Sequence, residues 1–366
     1  MGTPHTLEGI KEGIRERIGR RDPFTHADSV EAEEALGRLK GIEPEHWAEV
    51  WTVPARRWEE KGRLEEKAGK TPAAREAYTK AYGYYGIARH PFPNSPAKVA
   101  AYGKAREMYL AAARFFDPPL EKILVPFGDK QIVGYLRLPA KKPAPVVMHW
   151  GGIDGWKEER HSTVETLLKR GWGCWAMDAP GTGEAPIKAS ADAHRIFSTA
   201  IDYLCGRADV DSKRIAVLGS SFGGYWATKL AFVERERLRA VVNWGGGIHR
   251  FFQPEWQEKS RNALSYLFDL IESRANLFGK KTFAELIEVM PALSLKTQGW
   301  LDKPCAPLLL VNGKDDKQVP IDDFHLLLES GEPKSARFFP GGHMGNSREI
   351  FPVVLGWLER MFGDGR

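Results

Sequence analysis

Cysteine is scarce in this 366-residue sequence: Cys174, Cys205 and Cys305 are far apart, odd in number and mostly in apolar settings. That excludes a disulfide framework and a cysteine metal site, and reads as reduced core residues. Long apolar runs are also missing, since no stretch approaches the ~18 residues of a membrane-spanning helix. Glu8, Lys11, Glu12 and Arg15 stand where a signal peptide needs an apolar run, so the expected location is cytoplasmic. Neither sign of charge dominates. The 53 basic and 48 acidic residues leave +5, and the basic ones have acidic neighbours, as in Lys11-Glu12 and Arg15-Glu16-Arg17. A solvated mixed-charge surface follows, not a nucleic-acid footprint. No cluster has metal-ligand spacing, and no cofactor is expected. What remains is an ordinary globular composition, 42% hydrophobic and 28% charged, long enough for about two domains. Twelve tryptophans are the unusual count. Several flank the motifs below and predict an aromatic-lined pocket.

Residues 1–118 read as a helical domain. Asp28-Ser29 caps a helix to Leu39. Pro44–Lys70 carries Trp47, Val50, Trp51, Trp58 and Leu64 at helical spacing. Thr71-Pro72 and Ser95-Pro96 each read as a cap followed by proline at the first helical position, and Asp117-Pro118-Pro119 ends the block. From Glu121 the pattern changes. Residues 123–127 and 131–138, joined by Gly128-Asp129, predict a hairpin. Apolar strands near 145–149, 172–177, 213–219, 238–244, 307–312 and 335–339 then alternate with helices near 157–170, 189–207, 221–233, 321–330 and 347–362. This is an α/β class: a mostly parallel sheet covered on both faces, over 119–366. The strandless interval 248–300 breaks the rhythm and reads as a lid insertion over the strand ends, where ligands bind in such sheets.

The most informative string is Gly219-Ser220-Ser221-Phe222-Gly223, between an apolar strand and a helix. Strand, Gly-x-Ser-x-Gly, helix is the setting of a nucleophile elbow, with Ser221 as the nucleophile and Ser220 as the x. A serine hydroxyl needs a base to take its proton and an acid to orient that base. After the strand near 307–312, Gly313-Lys-Asp-Asp316-Lys-Gln-Val-Pro320 selects Asp316 as the acid, with Asp315 as a turn residue. His343, between glycines after the last strand, is the base. The order Ser221, Asp316, His343 is that of α/β-hydrolases. The oxyanion of acyl transfer needs preset donors. Phe222 N–H is one, and Gly152 or Ile153, in the glycine pair after the first parallel strand, supplies the other. Asp178-Ala-Pro-Gly-Thr-Gly-Glu184 lacks the third glycine of a dinucleotide fingerprint and reads as a structural turn, with Asp178 and Glu184 bracing the site loops. His149 and His249 are further candidates to line the site.

The strings Trp150-Gly-Gly-Ile-Asp-Gly-Trp-Lys-Glu-Glu159, Asp178–Glu184, Leu218-Gly-Ser-Ser-Phe-Gly-Gly224 and Asn243-Trp-Gly-Gly246 occur in this order. Together they resemble the FrsA-like α/β-hydrolases, in particular the branch containing dihydroxypseudooxynicotine hydrolase. The resemblance covers most of the chain, least so the first ~40 residues and the 248–300 interval. It implies a serine hydrolase with Ser221, Asp316 and His343 as triad, an N-terminal helical domain contributing to a buried site, and often a homodimer. Trp150 departs from the small or aliphatic residue expected there, which predicts a narrower pocket.

Three readings compete. The first is a carboxylic-ester hydrolase of small or aromatic substrates. The second is a carbon–carbon hydrolase of ketones or β-diketones, with a lid group such as His249, Arg250 or Glu255 stabilising the carbanion. The third keeps the scaffold for amide or peptide cleavage or for binding without catalysis. The partner in each is a small molecule, and Trp150, His249, Arg250 and Glu255 are the candidate substrate contacts.

Overall fold

A computed structural model describes residues 6–261 and 266–363. The described chain divides into two units: one runs to Leu120 and is joined by Tyr266–Asp269, and the other holds Glu121 onward apart from that tetrapeptide. The first unit is all helix: α1 (Leu7–Arg15), α2 (Ser29–Arg38), α3 (Pro44–Lys67), α4 (Thr71–Arg89) and α5 (Pro96–Ala113). Asp28 caps α2 by accepting from the N–H groups of Val30 and Glu31, and Ser95 caps α5 through Lys98 N–H. Thr71 is not a cap; it is already helical, with Lys70 at the cap position. Gly83 on α4 admits the segment before α2, since a Cβ there would lie 2.6 Å from His26 Cβ, and Trp47 and Trp51 on α3 are 0% exposed. Leu64, placed on the buried stripe by spacing, is 62% exposed. The interior positions of that turn go to Gly62, where a Cβ would lie 2.7 Å from the Tyr78 ring, and to Glu59. Glu59 accepts from Tyr85 Oη (2.6 Å), Arg63 Nη2 (2.6 Å) and Lys104 Nζ (2.9 Å).

The second unit is built on one sheet. Its strands are β1 (Glu121–Phe127), β2 (Lys130–Arg137), β3 (Ala144–Trp150), β4 (Gly173–Met177), β5 (Val210–Ser220), β6 (Ala240–Trp244), β7 (Leu308–Gly313) and β8 (Ser335–Phe339). They lie in the order β1-β2-β4-β3-β5-β6-β7-β8. The β1–β2 hairpin turns at Gly128-Asp129 and adds antiparallel to β4; every other pairing is parallel. β3, β4, β6 and β7 are buried along their whole length, as a parallel sheet covered on both faces requires. The covering helices include α6 (His161–Leu168), α7 (Arg195–Cys205) and α8 (Phe222–Val233). Between β6 and β7 the described chain is helical, with α9 (Pro254–Ser260), α10 (Leu270–Leu277) and α11 (Phe283–Val289), and α12 (Asp322–Leu328) and α13 (Ser347–Phe362) follow β7 and β8. Of the cysteines only Cys174 is core, and burial pushes its thiol up to about 12; Cys205 is exposed. Among the described residues no helix is long and apolar enough to cross a membrane.

Candidate active site

β5 ends at Ser220 and α8 begins at Phe222, so a single residue makes the turn. That residue, Ser221, has φ 55° and ψ −128°, a conformation costing about 1–3 kcal/mol for a non-glycine residue. The surroundings hold it there. Ser221 N–H donates to Trp244 O at 2.7 Å, and Gly224 N–H donates back to Ser221 O at 2.8 Å. A Cβ on Gly219 would lie 2.1 Å from Gly223 O, so no side chain fits at that position. The hydroxyl is thus presented at the carboxyl end of a central strand.

Two loops meet it. In the loop after β8, His343 Nε2 lies 2.8 Å from Ser221 Oγ and His343 Nδ1 lies 2.7 Å from Asp316 Oδ2. In the turn after β7, Asp316 Oδ2 also accepts from Asn312 Nδ2 (2.9 Å), and Oδ1 accepts from the N–H groups of Gln318 (2.7 Å) and Val319 (3.0 Å). Burial alone would raise the carboxyl pKa. The charge and hydrogen bond of His343, with the bonds from Asn312 and Val319, outweigh it and hold Asp316 below its ordinary range. An ionised carboxylate only accepts, so Nδ1 carries a proton, and in the neutral ring Nε2 is the nitrogen that accepts from the serine. Asp315 does not face the ring; its carboxylate accepts from Gly341 N–H at 3.2 Å. Asn312 serves both loops, because its Oδ1 accepts from Met344 N–H at 2.9 Å. Trp244 Nε1 donates to Met344 O at 2.8 Å and fixes the histidine loop from the other side.

The glycine pair after β3 packs against the same hydroxyl. A Cβ on Gly152 would stand 2.7 Å from Ser221 Cβ, 3.0 Å from its Oγ and 3.3 Å from Phe222 N. That loop is anchored from below by Lys157, which has no exposed side-chain surface. Lys157 Nζ lies 2.8 Å from Asp178 Oδ2, 2.9 Å from Glu158 Oε1 and 2.8 Å from Glu184 Oε2. Asp178 also accepts from the N–H groups of Lys157 and Glu184 at 2.9 Å each, tying the loops after β3 and β4 together. Burial and the neighbouring Asp178 charge push the Glu158 carboxyl up, against the pull of Lys157.

A cleft of about 280 Å³ empty volume, part of it open solvent, lies over the serine. Ile153, Ser221, Phe222, Gly247, Phe251, Arg274, Gln318, Val319 and His343 line it. No tryptophan does, so the aromatic wall comes from two phenylalanines, with the rings of Phe222 and Phe251 6.4 Å apart. The four expected substrate contacts lie off this cleft, each for a local reason. Trp150 is fully buried; its Nε1 donates to Gly223 O at 2.9 Å and its ring stacks on Phe197 at 4.1 Å, so it packs the back of the elbow. His249 is bonded to Ser294 Oγ at 2.7 Å. Arg250 pairs with Asp322 at the surface, and Glu255 is exposed. His149 is equally remote in chemistry. It is buried in β3 with Nδ1 2.8 Å from Leu218 O, and burial, aided by Arg160, lowers its pKa to about 3.

Phe251, Arg274, Gln318 and Val319 escape a reading by motif. Gln318 and Val319 lie two and three residues after Asp316, within the Gly313–Pro320 string, and their N–H groups bond back to its carboxylate, a closeness that could have found them. Phe251 is placed by Asp323, whose carboxylate accepts from the N–H groups of Ile248, His249, Arg250 and Phe251 at 2.7–3.1 Å. Asp323 itself lies in the first turn of α12. Burial raises its pKa against these four bonds.

Comparison with known proteins fits this geometry. The family described as esterase FrsA-like matches residues 10–346. The chain belongs to the FrsA-like esterase family. Esterase FrsA of Photobacterium profundum is 27% identical over 336 residues, spanning 90% of this chain and 79% of that protein. A 20-hydroxy-prefusarin hydrolase of Gibberella moniliformis is 26% identical over 341 residues, spanning 80% and 79%. Among solved structures, 2,6-dihydroxy-pseudo-oxynicotine hydrolase superposes with a TM-score of 0.79 at 24% identity, covering 93% of this chain and 95% of that one. The protein is therefore a hydrolytic enzyme of the α/β-hydrolase fold, and the likeness to this family and branch stands.

Proposed function

We propose that this FrsA-like protein is a serine hydrolase of carboxylic esters with small or aromatic substrates. The observation that carries the proposal is the unbroken chain Ser221 Oγ–His343 Nε2 (2.8 Å) and His343 Nδ1–Asp316 Oδ2 (2.7 Å). As Ser221 Oγ attacks the ester carbonyl, its proton passes to His343 Nε2, and Asp316 stabilises the imidazolium. The carbonyl oxygen becomes an oxyanion that takes hydrogen bonds from Phe222 N–H and from Gly152 or Ile153 N–H. Each such donor is worth about 3–4 kcal/mol in the transition state. Collapse breaks the C–O bond, and the proton on Nε2 leaves with the alcohol. Water, deprotonated by the same nitrogen, then releases the acid and restores Ser221.

Ester cleavage is favoured over carbon–carbon cleavage by the cleft wall. Among the described lining residues, His343 and Arg274 are the side chains that carry or gain a positive charge, and none is a carboxylate. His249, Arg250 and Glu255, which would have served a carbanion leaving group, are engaged or exposed elsewhere. The relative from Photobacterium profundum, an esterase by name, points the same way. Ser221→Ala should reduce p-nitrophenyl ester hydrolysis by about 10⁴-fold or more while the protein stays folded, and a fluorophosphonate should label the wild-type serine alone. Retention of most activity in the variant would remove Ser221 from the mechanism.

A further inference from the structure

Arg274 is the one arginine or lysine among the described residues lining the cleft, and the hydrolysis just described makes no use of it. It lies on α10, in the wall that also holds Ser221 and His343, and is 3% exposed. A guanidinium stays ionised in any protein, and burying one is costly unless its donors are used. Here Nη1 donates to Gln257 Oε1 at 2.8 Å and to Ser260 Oγ at 2.9 Å. Gln257 is itself pinned, because its Nε2 donates to Phe251 O. The guanidinium carbon lies 5.2 Å from the centre of the Phe251 ring, within cation–π range. Gln257 and Ser260 of α9 and the Phe251 ring are thus among the groups that hold the guanidinium, in the same cleft wall as Ser221. The apolar side chains of the wall, Ile153, Phe222, Phe251 and Val319, are suited to methylene groups.

We propose that Arg274 is a specificity-determining residue that selects esters whose acyl chain carries a terminal carboxylate, that is, monoesters of short dicarboxylic acids. This rests on the ester-hydrolase reading above. The guanidinium receives the distal carboxylate by charge-assisted hydrogen bonds, the apolar wall packs the methylenes, and the ester carbonyl lies at Ser221. Water converts the monoester into the dicarboxylate and the free alcohol, with no other reactant.

The test compares the monoethyl esters of succinate, glutarate and adipate with ethyl pentanoate, followed by acid release at constant pH. Wild-type kcat/KM should favour the charged esters. Arg274→Gln should lower it for them by about 10- to 100-fold, mainly through KM, and leave ethyl pentanoate within about threefold. Arg274→Lys should recover part of the loss. A wild-type preference for the neutral ester, or an equal loss on both kinds of ester, would overturn the proposal. Binding separates it from the catalytic reading. Monoethyl glutarate should bind calorimetrically to Ser221→Ala protein at least about tenfold more tightly than ethyl pentanoate, and the added Arg274→Gln change should abolish the difference. Equal binding of the two esters sinks the role of Arg274 even if Ser221 is catalytic. A preserved difference in a protein that hydrolyses neither ester sinks the hydrolase reading and leaves Arg274 as the anion contact. Should the Arg274 variants fail to fold, inhibition of wild-type ethyl pentanoate hydrolysis decides: glutarate should inhibit at least about tenfold better than butyrate, and equal inhibition refutes the proposal.

Discussion

Two buried carboxylates, one in each unit, contrast an anchoring acid with the one proposed here to work in catalysis. Glu59 on α3 and Asp316 after β7 are 8% and 6% exposed, and both are held below their ordinary pKa against the penalty of burial. Glu59 is satisfied by Tyr85, Lys104 and Arg63, side chains on ordinary helices whose protons stay where they are. Asp316 is satisfied by two backbone N–H groups, an asparagine and one imidazole, and that imidazole reaches on to a strained serine. Burial and depressed pKa are common to both. The difference lies in whether a donor can pass its influence to a third group, which makes perturbation alone a poor guide to a reacting site.

The same isosteric change at the two positions should part them most widely. Asp316→Asn should cut kcat/KM for a p-nitrophenyl ester by about 10⁴-fold, because an amide in place of the carboxylate favours the wrong imidazole tautomer. Activity within about tenfold of wild type would reduce Asp316 to an anchor like Glu59. Glu59→Gln should instead lower unfolding free energy by about 2 kcal/mol in urea titrations, since an amide cannot accept from all three donors. An unchanged midpoint would mean that this network adds nothing to the helical unit.

A third buried group extends the contrast to pH. The folded pKa of His149, about 3, lies below the unfolded value of about 6.5. Between those limits the unfolded chain binds the extra proton, so stability is full above about pH 6.5 and falls as the pH drops toward 3. From pH 7 to pH 5.5 this histidine should cost about 1 kcal/mol, a loss that His149→Gln should abolish. Identical pH slopes in the two proteins would show that His149 titrates normally.

Much of the site was legible because its parts are short-range. The elbow needs small residues beside Ser221, and that requirement is written within five positions. The choice of Asp316 over Asp315 rested on a turn motif of eight residues, and His343 on its place between glycines after the last strand. The helical interval after β6 was equally visible by its lack of strands. Assigning tasks to side chains in that interval was not possible, because helical spacing does not say which face meets the serine. Hence His249, Arg250 and Glu255 were expected at the cleft, and Phe251 and Arg274 are found there. Leu64 shows the same limit in the helical unit, where the stripe passes through Glu59 and Gly62.

By itself the sequence determined the order of elements, the parallel sheet, and the identity and order of Ser221, Asp316 and His343. Each depends on local backbone geometry and on the alternation of strands with helices. Tertiary structure alone decided that Trp150 packs behind the elbow, that Asn312 joins the aspartate and histidine loops, that Asp323 gathers the backbone of 248–251, and that a buried arginine on α10 faces the cleft. Those outcomes depend on contacts between segments distant in the chain, where close packing and the need to satisfy every buried polar group choose among side chains that local patterns leave equivalent.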